Sequence, residues 1–129
     1  MNAGAIEESW YRMWRVETAV RLRIFCGEDD KYKGRPLYEE IVVQAQASHL
    51  AGATVFRGYM GYGERSGLHA AKILRATHDL PIVVEILDTE DKVNAFLAVL
   101  GKLLSGGLAT VEKVQLYHYG GDKKKPAGH

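Results

Sequence analysis

Arg57 stands directly before a run of glycines, Gly58, Gly61, Gly63 and Gly67, with Arg65 inside the run. Glycine reaches backbone angles that side chains forbid, so such a run lets main-chain N–H groups converge. Converging N–H groups form a nest for an anion, and an arginine fork beside them suits a phosphate or carboxylate. The stretch from Gly61 to Gly67 is not the dinucleotide fingerprint, having one residue too many before its last glycine. It is not a Walker loop either. Taken alone, the glycines read first as a plain flexible turn.

Other residue types carry weaker signals. Lys31, Lys33 and Arg35 share a loop with Glu28, Asp29 and Asp30, and such a cluster is expected to pair with itself in water. The histidines are His49, His69, His78, His118 and His129, and no two sit at i, i+4 around a glutamate. His69 and His78 read as exposed loop residues. His118 alternates with Tyr117 and Tyr119 and reads as structural. Cys26 precedes a glycine and three acids, which disfavour a thiolate nucleophile. Ser66 lacks a nucleophile elbow. Tyr38, Tyr59 and Tyr62 can stack on a base but read as packing. Paired carboxylates, a triad and a metal cluster are all missing from the pattern, so no enzyme is expected.

The elements that position these residues follow from periodicity. Thr18–Phe25 alternates Val20, Leu22 and Ile24 with Arg21 and Arg23, the pattern of a half-buried strand. Pro36 suits the first turn of a helix over Leu37–Leu50, with Leu37, Ile41, Ala45 and Ser48 on one face and Gly52 as its stop. Ala53–Met60 has strand composition. Pro81–Leu87 is apolar almost throughout, so it is expected to be central. Asp88 is the expected N-cap of a second helix reaching Leu104, with Val93, Leu97, Leu100 and Leu104 on its core face. Thr110–Tyr119 is the last strand. The order β-α-β-β-α-β predicts an α+β, ferredoxin-like fold: a four-stranded antiparallel sheet with two helices on one face.

The domain is expected over 18–119. Residues 1–17 read as an N-terminal arm, with Trp10 and Trp14 on one helical face, and 120–129 as a disordered tail. Roughly twenty residues separate the second and third strands, and so long a connection is usually functional or disordered. Phe25, Phe56, Val83 and Tyr117 are expected on the sheet face the helices leave open. A face so mixed predicts assembly with further copies of the chain.

Composition narrows the classes. With 47% hydrophobic residues in 129, the chain can bury a core. The 17 Lys+Arg against 16 Asp+Glu leave a net charge of +1, which is wrong for a nucleic-acid binder held by charge. No apolar run approaches the roughly 18 residues of a membrane span, and no membrane insertion is expected. Residues 1–17 show no apolar signal region, and one cysteine makes no internal disulfide, so the cytoplasm is the expected compartment.

Four separated motifs, KYKGRPLYEEIV, AGATVFRGYMGYG, DLPIVVEILDTEDKVNAFL and GGLATVEKVQLYHY, stand in an order and spacing that resembles one family. The chain resembles the PII-like proteins of domain of unknown function 190 and, more distantly, the PII signal-transduction proteins. The resemblance implies a homotrimer that binds an adenine nucleotide (AMP, ADP or ATP) in clefts between subunits, with no tightly bound cofactor. It implies a signalling loop over Gly61–Leu80 that reports to a partner protein, a transporter or an enzyme. GYGERSG looks like the opening of that loop in PII, with Arg57, Gly58, Gly61, Gly63 and Arg65 as candidate ligand residues. The PII glutamine that helps hold 2-oxoglutarate aligns with Arg65, so the same 2-oxoglutarate site is not expected. A second segment, Ser105–Ala109, brings Gly106 and Gly107 but lacks the basic residue that grips phosphate in PII. The tail offers Lys123, Lys124 and Lys125 in place of the paired arginines of PII. A nucleotide with fewer phosphates than ATP, or another small anion, fits these departures. Two readings compete: a small ferredoxin-fold enzyme using His69, His78 or Arg57, and a CutA-like metal-handling trimer with Cys26 and His69 as ligands.

Overall fold

In the computed structural model the described residues are 13–63, 67–68 and 79–120. Their order is β1 (Trp14–Gly27), α1 (Leu37–Ala47), β2 (Ala53–Arg57), β3 (Pro81–Asp88), α2 (Glu90–Leu103) and β4 (Leu108–Tyr119). The strands form one antiparallel sheet in the order β2-β3-β1-β4. This is the expected ferredoxin-like βαββαβ arrangement. Two further ladders of two residues a side join Lys31–Tyr32 to Arg35–Pro36 and Tyr62–Gly63 to Gly67–Leu68.

Alternation fixes which face each strand buries. Val20, Leu22 and Ile24 of β1 and Ile82, Val84 and Ile86 of β3 are all buried under the helices with Leu37, Ile41, Val93 and Phe96. On α2 the buried stripe is Val93, Phe96, Leu100 and Leu103, while Leu97 and Leu104 are only partly covered. The expected stripe was therefore one position off for two of four members, and Phe96 was missed. Both stripes satisfy a 3.6-residue period, and only packing against the sheet decides between them.

The helix ends differ from expectation for identifiable reasons. α1 stops at Ala47, not Leu50. His49 takes φ 62°, its N–H donates to the Gln46 carbonyl, and the Leu50 N–H donates to the Ala45 carbonyl. That is a Schellman closure, with histidine where glycine is usual. It turns Leu50 back onto the core, and Gly52 plays no capping part. Pro36 is the N-cap and not the first helical residue. Asp88 is not the cap of α2. Thr89 is, its hydroxyl accepting from the Lys92 N–H, and Asp88 is the buried last residue of β3. Its two carboxylate oxygens accept from the Thr89 and Ala51 N–H groups at 2.7 and 2.8 Å, tying the start of β2 to the start of α2.

β1 begins at Trp14, four residues before the expected start. The stretch 14–17 thus belongs to the sheet and not to an arm. Trp14 lies opposite Tyr119 and meets the rings of Tyr117 and Tyr119 edge-on, at 6.3 and 4.8 Å between centroids. The helical pairing of Trp10 with Trp14 fails at Trp14, and Trp10 lies outside the described residues. Because β3 pairs only with Val20–Gly27, the β1–β4 ladder runs on past it as a two-stranded ribbon.

On the open face, Leu108, Phe25, Val83 and Phe56 are direct neighbours in register across all four strands. Leu108 and Phe56 are more than half exposed, and Phe25 about a third. The next row is polar, with Arg23 paired to Glu85 at 3.2 Å between Thr110 and Thr54. Tyr117, expected on this face, lies opposite Val16 on the other one.

Candidate functional site

One end of the sheet gathers the candidate ligand residues. β2 leaves through Arg57 and Gly58, β3 starts at Pro81, β1 ends at Gly27, and β4 starts at Leu108 after Gly106 and Gly107. Their chemistry is set by different constraints. The Gly58 N–H donates to the Pro81 carbonyl at 2.6 Å, and a Cβ on Gly58 would lie 2.8 Å from the Pro81 ring. A Cβ on Gly61 would lie 3.1 Å from the same ring. These two are glycine because the chain passes close over Pro81, not because φ is positive. Gly107 is the left-handed one, at φ 107°, with the Phe25 carbonyl 3.2 Å from where its Cβ would be. Gly63 enters the short ladder opposite Gly67. Arg65, with Ser66, His69 and His78, lies outside the described residues.

The two glycine clusters share an end but not an edge. β2 and β4 are the outer strands, with β3 and β1 between them. Three strand spacings, about 14 Å, separate them within one chain.

Arg57 does not stand alone. Its guanidinium pairs with the Glu28 carboxylate at 2.5 Å, and its side chain remains 55% exposed. The Glu28 N–H donates to the Leu80 carbonyl, and the Asp29 N–H reaches the Asp79 carboxylate. Asp30 accepts from the Gly27 N–H. The acidic loop is therefore not closed on its own bases as expected. Arg35 pairs instead with the buried Glu40, whose other oxygen takes the Gln44 amide, and Lys33 lies over the Tyr32 ring. The pairing of Glu28 with Arg57 has no counterpart in the sequence pattern: the first of three consecutive acids carries no local signal of a partner 29 positions on.

Around this end Tyr59 and Tyr62 are about three-quarters exposed, whereas Tyr38 packs against the core. Two of the three candidate tyrosines are thus free to meet a flat ring. His118 Nε2 lies 3.0 Å from the Glu17 carboxylate. A separate cleft of about 270 Å³ lies at the far end, where Glu17, Glu85, Asp88 and His118 line it. Glu17 and His118 contact each other, Asp88 accepts from the main chain, and Glu85 accepts from Arg23.

Cys26 is partly buried, and burial foremost, then the Asp30 charge, pushes its thiol up to about 12. At pH 8 it should therefore react with iodoacetamide at least about a hundredfold more slowly than a free thiol. Because the folded-state value is raised, the stabilisation is full below the ordinary value of 9.0 and is lost as pH rises toward about 12. Urea melts above pH 9.0 should show that decline, and Cys26→Ala should remove it. Equal reactivity of the folded and unfolded chains would contradict this assignment. Among the described residues no three His, Cys, Asp or Glu lie together as a metal site. None of the described helices is long and apolar enough to cross a membrane.

Comparison with known proteins adds to this geometry. The DUF190 family model, described as Uncharacterized ACR, matches residues 19–116. A UPF0166 protein of Aquifex aeolicus is 39% identical over 105 residues, covering 81% of this chain and 98% of that protein. A UPF0166 protein of Methanocaldococcus jannaschii is 32% identical over 97 residues, covering 74% and 89%. Among solved structures, the apo form of CPII from Thiomonas intermedia K12, a nitrogen regulatory PII-like protein, matches with a TM-score of 0.57. Identity there is 14%, with 81% of this chain and 98% of that chain covered. CPII bound to ADP, AMP and bicarbonate matches with a TM-score of 0.55 at 15% identity, covering 79% and 91%. At such identities the likeness establishes a PII-like fold.

Proposed function

The chain belongs to the DUF190 family, and on that footing we propose that it is a PII-like regulatory protein. In this reading it is a homotrimer that holds an adenine nucleotide, or a similar small anion, between subunits. Arg57, Gly58, Gly61 and Gly63 of one subunit face Gly106 and Gly107 of the next, and Arg65, outside the described residues, is a further candidate donor. The observation that carries it is the division of the glycine clusters between opposite edges of one sheet end. A second copy brought edge to edge unites what one chain keeps apart. The apolar row Leu108–Phe25–Val83–Phe56 supplies surface to bury in such an assembly. CPII, which shares the fold, has been crystallised with ADP and AMP, and this supports the choice of ligand class.

In this account the Arg57 guanidinium holds the phosphates together with main-chain N–H groups beyond Gly58, whose own N–H is already given to Pro81, and Tyr59 or Tyr62 offers a ring to the base. Binding changes the signal only so far as the nucleotide prefers one arrangement of the 61–80 connection over another. A partner protein, a transporter or an enzyme, reads that arrangement, the compartment is the cytoplasm, and no bond is made or broken. Thermal melting with AMP, ADP, ATP and metal ions tests the ligand class. A ligand at a hundredfold excess over its Kd adds about 2.7 kcal/mol, a rise on the order of 10 °C for a domain of this size. An adenine nucleotide should produce it. No rise with any of them at millimolar concentration would reject the reading.

A further inference from the structure

We propose that Glu28 is a competitor built into the ligand site: it holds Arg57 until an anion takes its place, and it couples that exchange to the start of β3. The inference rests on the reading of Arg57 as a hydrogen-bond donor to the bound anion and adds the regulation of that donor.

Glu28 Oε2 accepts from Arg57, while Oε1 is shut off from solvent and accepts no hydrogen bond among the described residues. Arg57 is therefore the partner on which this carboxylate depends. With one oxygen shut off and the side chain only 18% exposed, this carboxylate is poorly hydrated once its cation leaves, so Glu28 resists the departure of Arg57. Arg57 is more than half exposed, and a dissolved anion can reach it. The guanidinium has donors for both partners, but two anions side by side on it repel. Glu28 thus opposes ligand binding whether it is displaced or merely crowded.

The same residue is tied to the other side of the long connection. Its N–H donates to the Leu80 carbonyl at 2.8 Å, the next N–H reaches Asp79, and Gly58 holds the Pro81 carbonyl. Glu28 therefore joins the end of β2 through its side chain and the start of β3 through its main chain. Displacing its carboxylate strains that junction first.

The test is calorimetric titration of ADP into the wild type, Glu28→Gln, Arg57→Ala and the double variant, with sedimentation confirming that assembly is unchanged. Glu28→Gln keeps the shape and removes the charge. It should tighten ADP binding roughly twofold to fivefold, the upper part of the range for one exposed charge pair. Arg57→Ala should weaken binding, and adding Glu28→Gln to it should change nothing more, because Glu28 acts through Arg57. Hydrogen exchange of the Glu28 amide in the wild type should quicken on saturation with ADP. Unchanged or weaker binding in Glu28→Gln, while Arg57→Ala still weakens it, overturns the competitor and leaves the site standing. A gain from Glu28→Gln that persists without Arg57 overturns it too, as does a Glu28 amide indifferent to ADP. No heat from ADP with any of the four proteins overturns the nucleotide reading, and the competitor falls with it.

Discussion

Val83→Asp should give a chain that folds but no longer assembles. Val83 is the second member from one edge of the apolar row, with Phe25 on one side and Phe56 on the other. It faces away from the core and is partly exposed, so in a lone chain the aspartate keeps access to water and costs the fold less than it costs an assembly. In an assembly that buries the row, the same carboxylate loses its water with no cation in register. The polar row next to it already uses its arginine on Glu85. Burying an unpaired charge costs several kcal/mol, enough to abolish association at micromolar concentration. Sedimentation equilibrium should show the mass of one chain, against three for the wild type, with circular dichroism unchanged. A variant that remains trimeric would mean that another surface holds the copies together.

Phe96→Ala should have the largest effect on stability. Phe96 is 1% exposed and lies among Val93, Leu100 and the buried residues of β1 and β3. Removing a buried phenylalanine costs the transfer of its ring and leaves a cavity, about 3–5 kcal/mol together. Domains hold only about 5–15 kcal/mol, so urea unfolding should shift strongly. Leu97→Ala, one position along and only partly covered, should cost clearly less. Equal losses at 96 and 97 would mean that α2 is rotated from the orientation described.

What the sequence made legible were features set by local pattern. The alternation in Thr18–Phe25 and the apolar run Pro81–Leu87 named two sheet-forming strands, and the element order named the fold. What stayed hidden depended on partners far along the chain. Trp14 is a strand residue because Tyr119 lies opposite it, and nothing near Trp14 says so. Phe96 outranks Leu97 in the core because of how α2 sits on the sheet. His49 ends α1 in a left-handed conformation usually left to glycine, so the first glycine after the helix, Gly52, lies beyond its true end. At the site, the run from Arg57 to Gly63 was visible as a composition, but the reason for Gly58 and Gly61 is a proline that follows some twenty residues later. The Glu28–Arg57 pair joins two loops that only the sheet brings together.

The proposed nucleotide site lies between subunits, half of it coming from each. Complementation measures this directly. Arg57→Ala removes the guanidinium at the β2 edge. Gly106→Asp places a negative charge at the β4 edge, at an exposed glycine whose φ is not positive. Each variant alone should bind ADP weakly. When the two chains are unfolded, mixed in equal amounts and refolded, about a quarter of the sites in random trimers join an intact half from each chain. Calorimetry of the mixture should then show about a quarter of the wild-type sites at wild-type affinity. A mixture that binds no better than the separate variants would contradict a shared site.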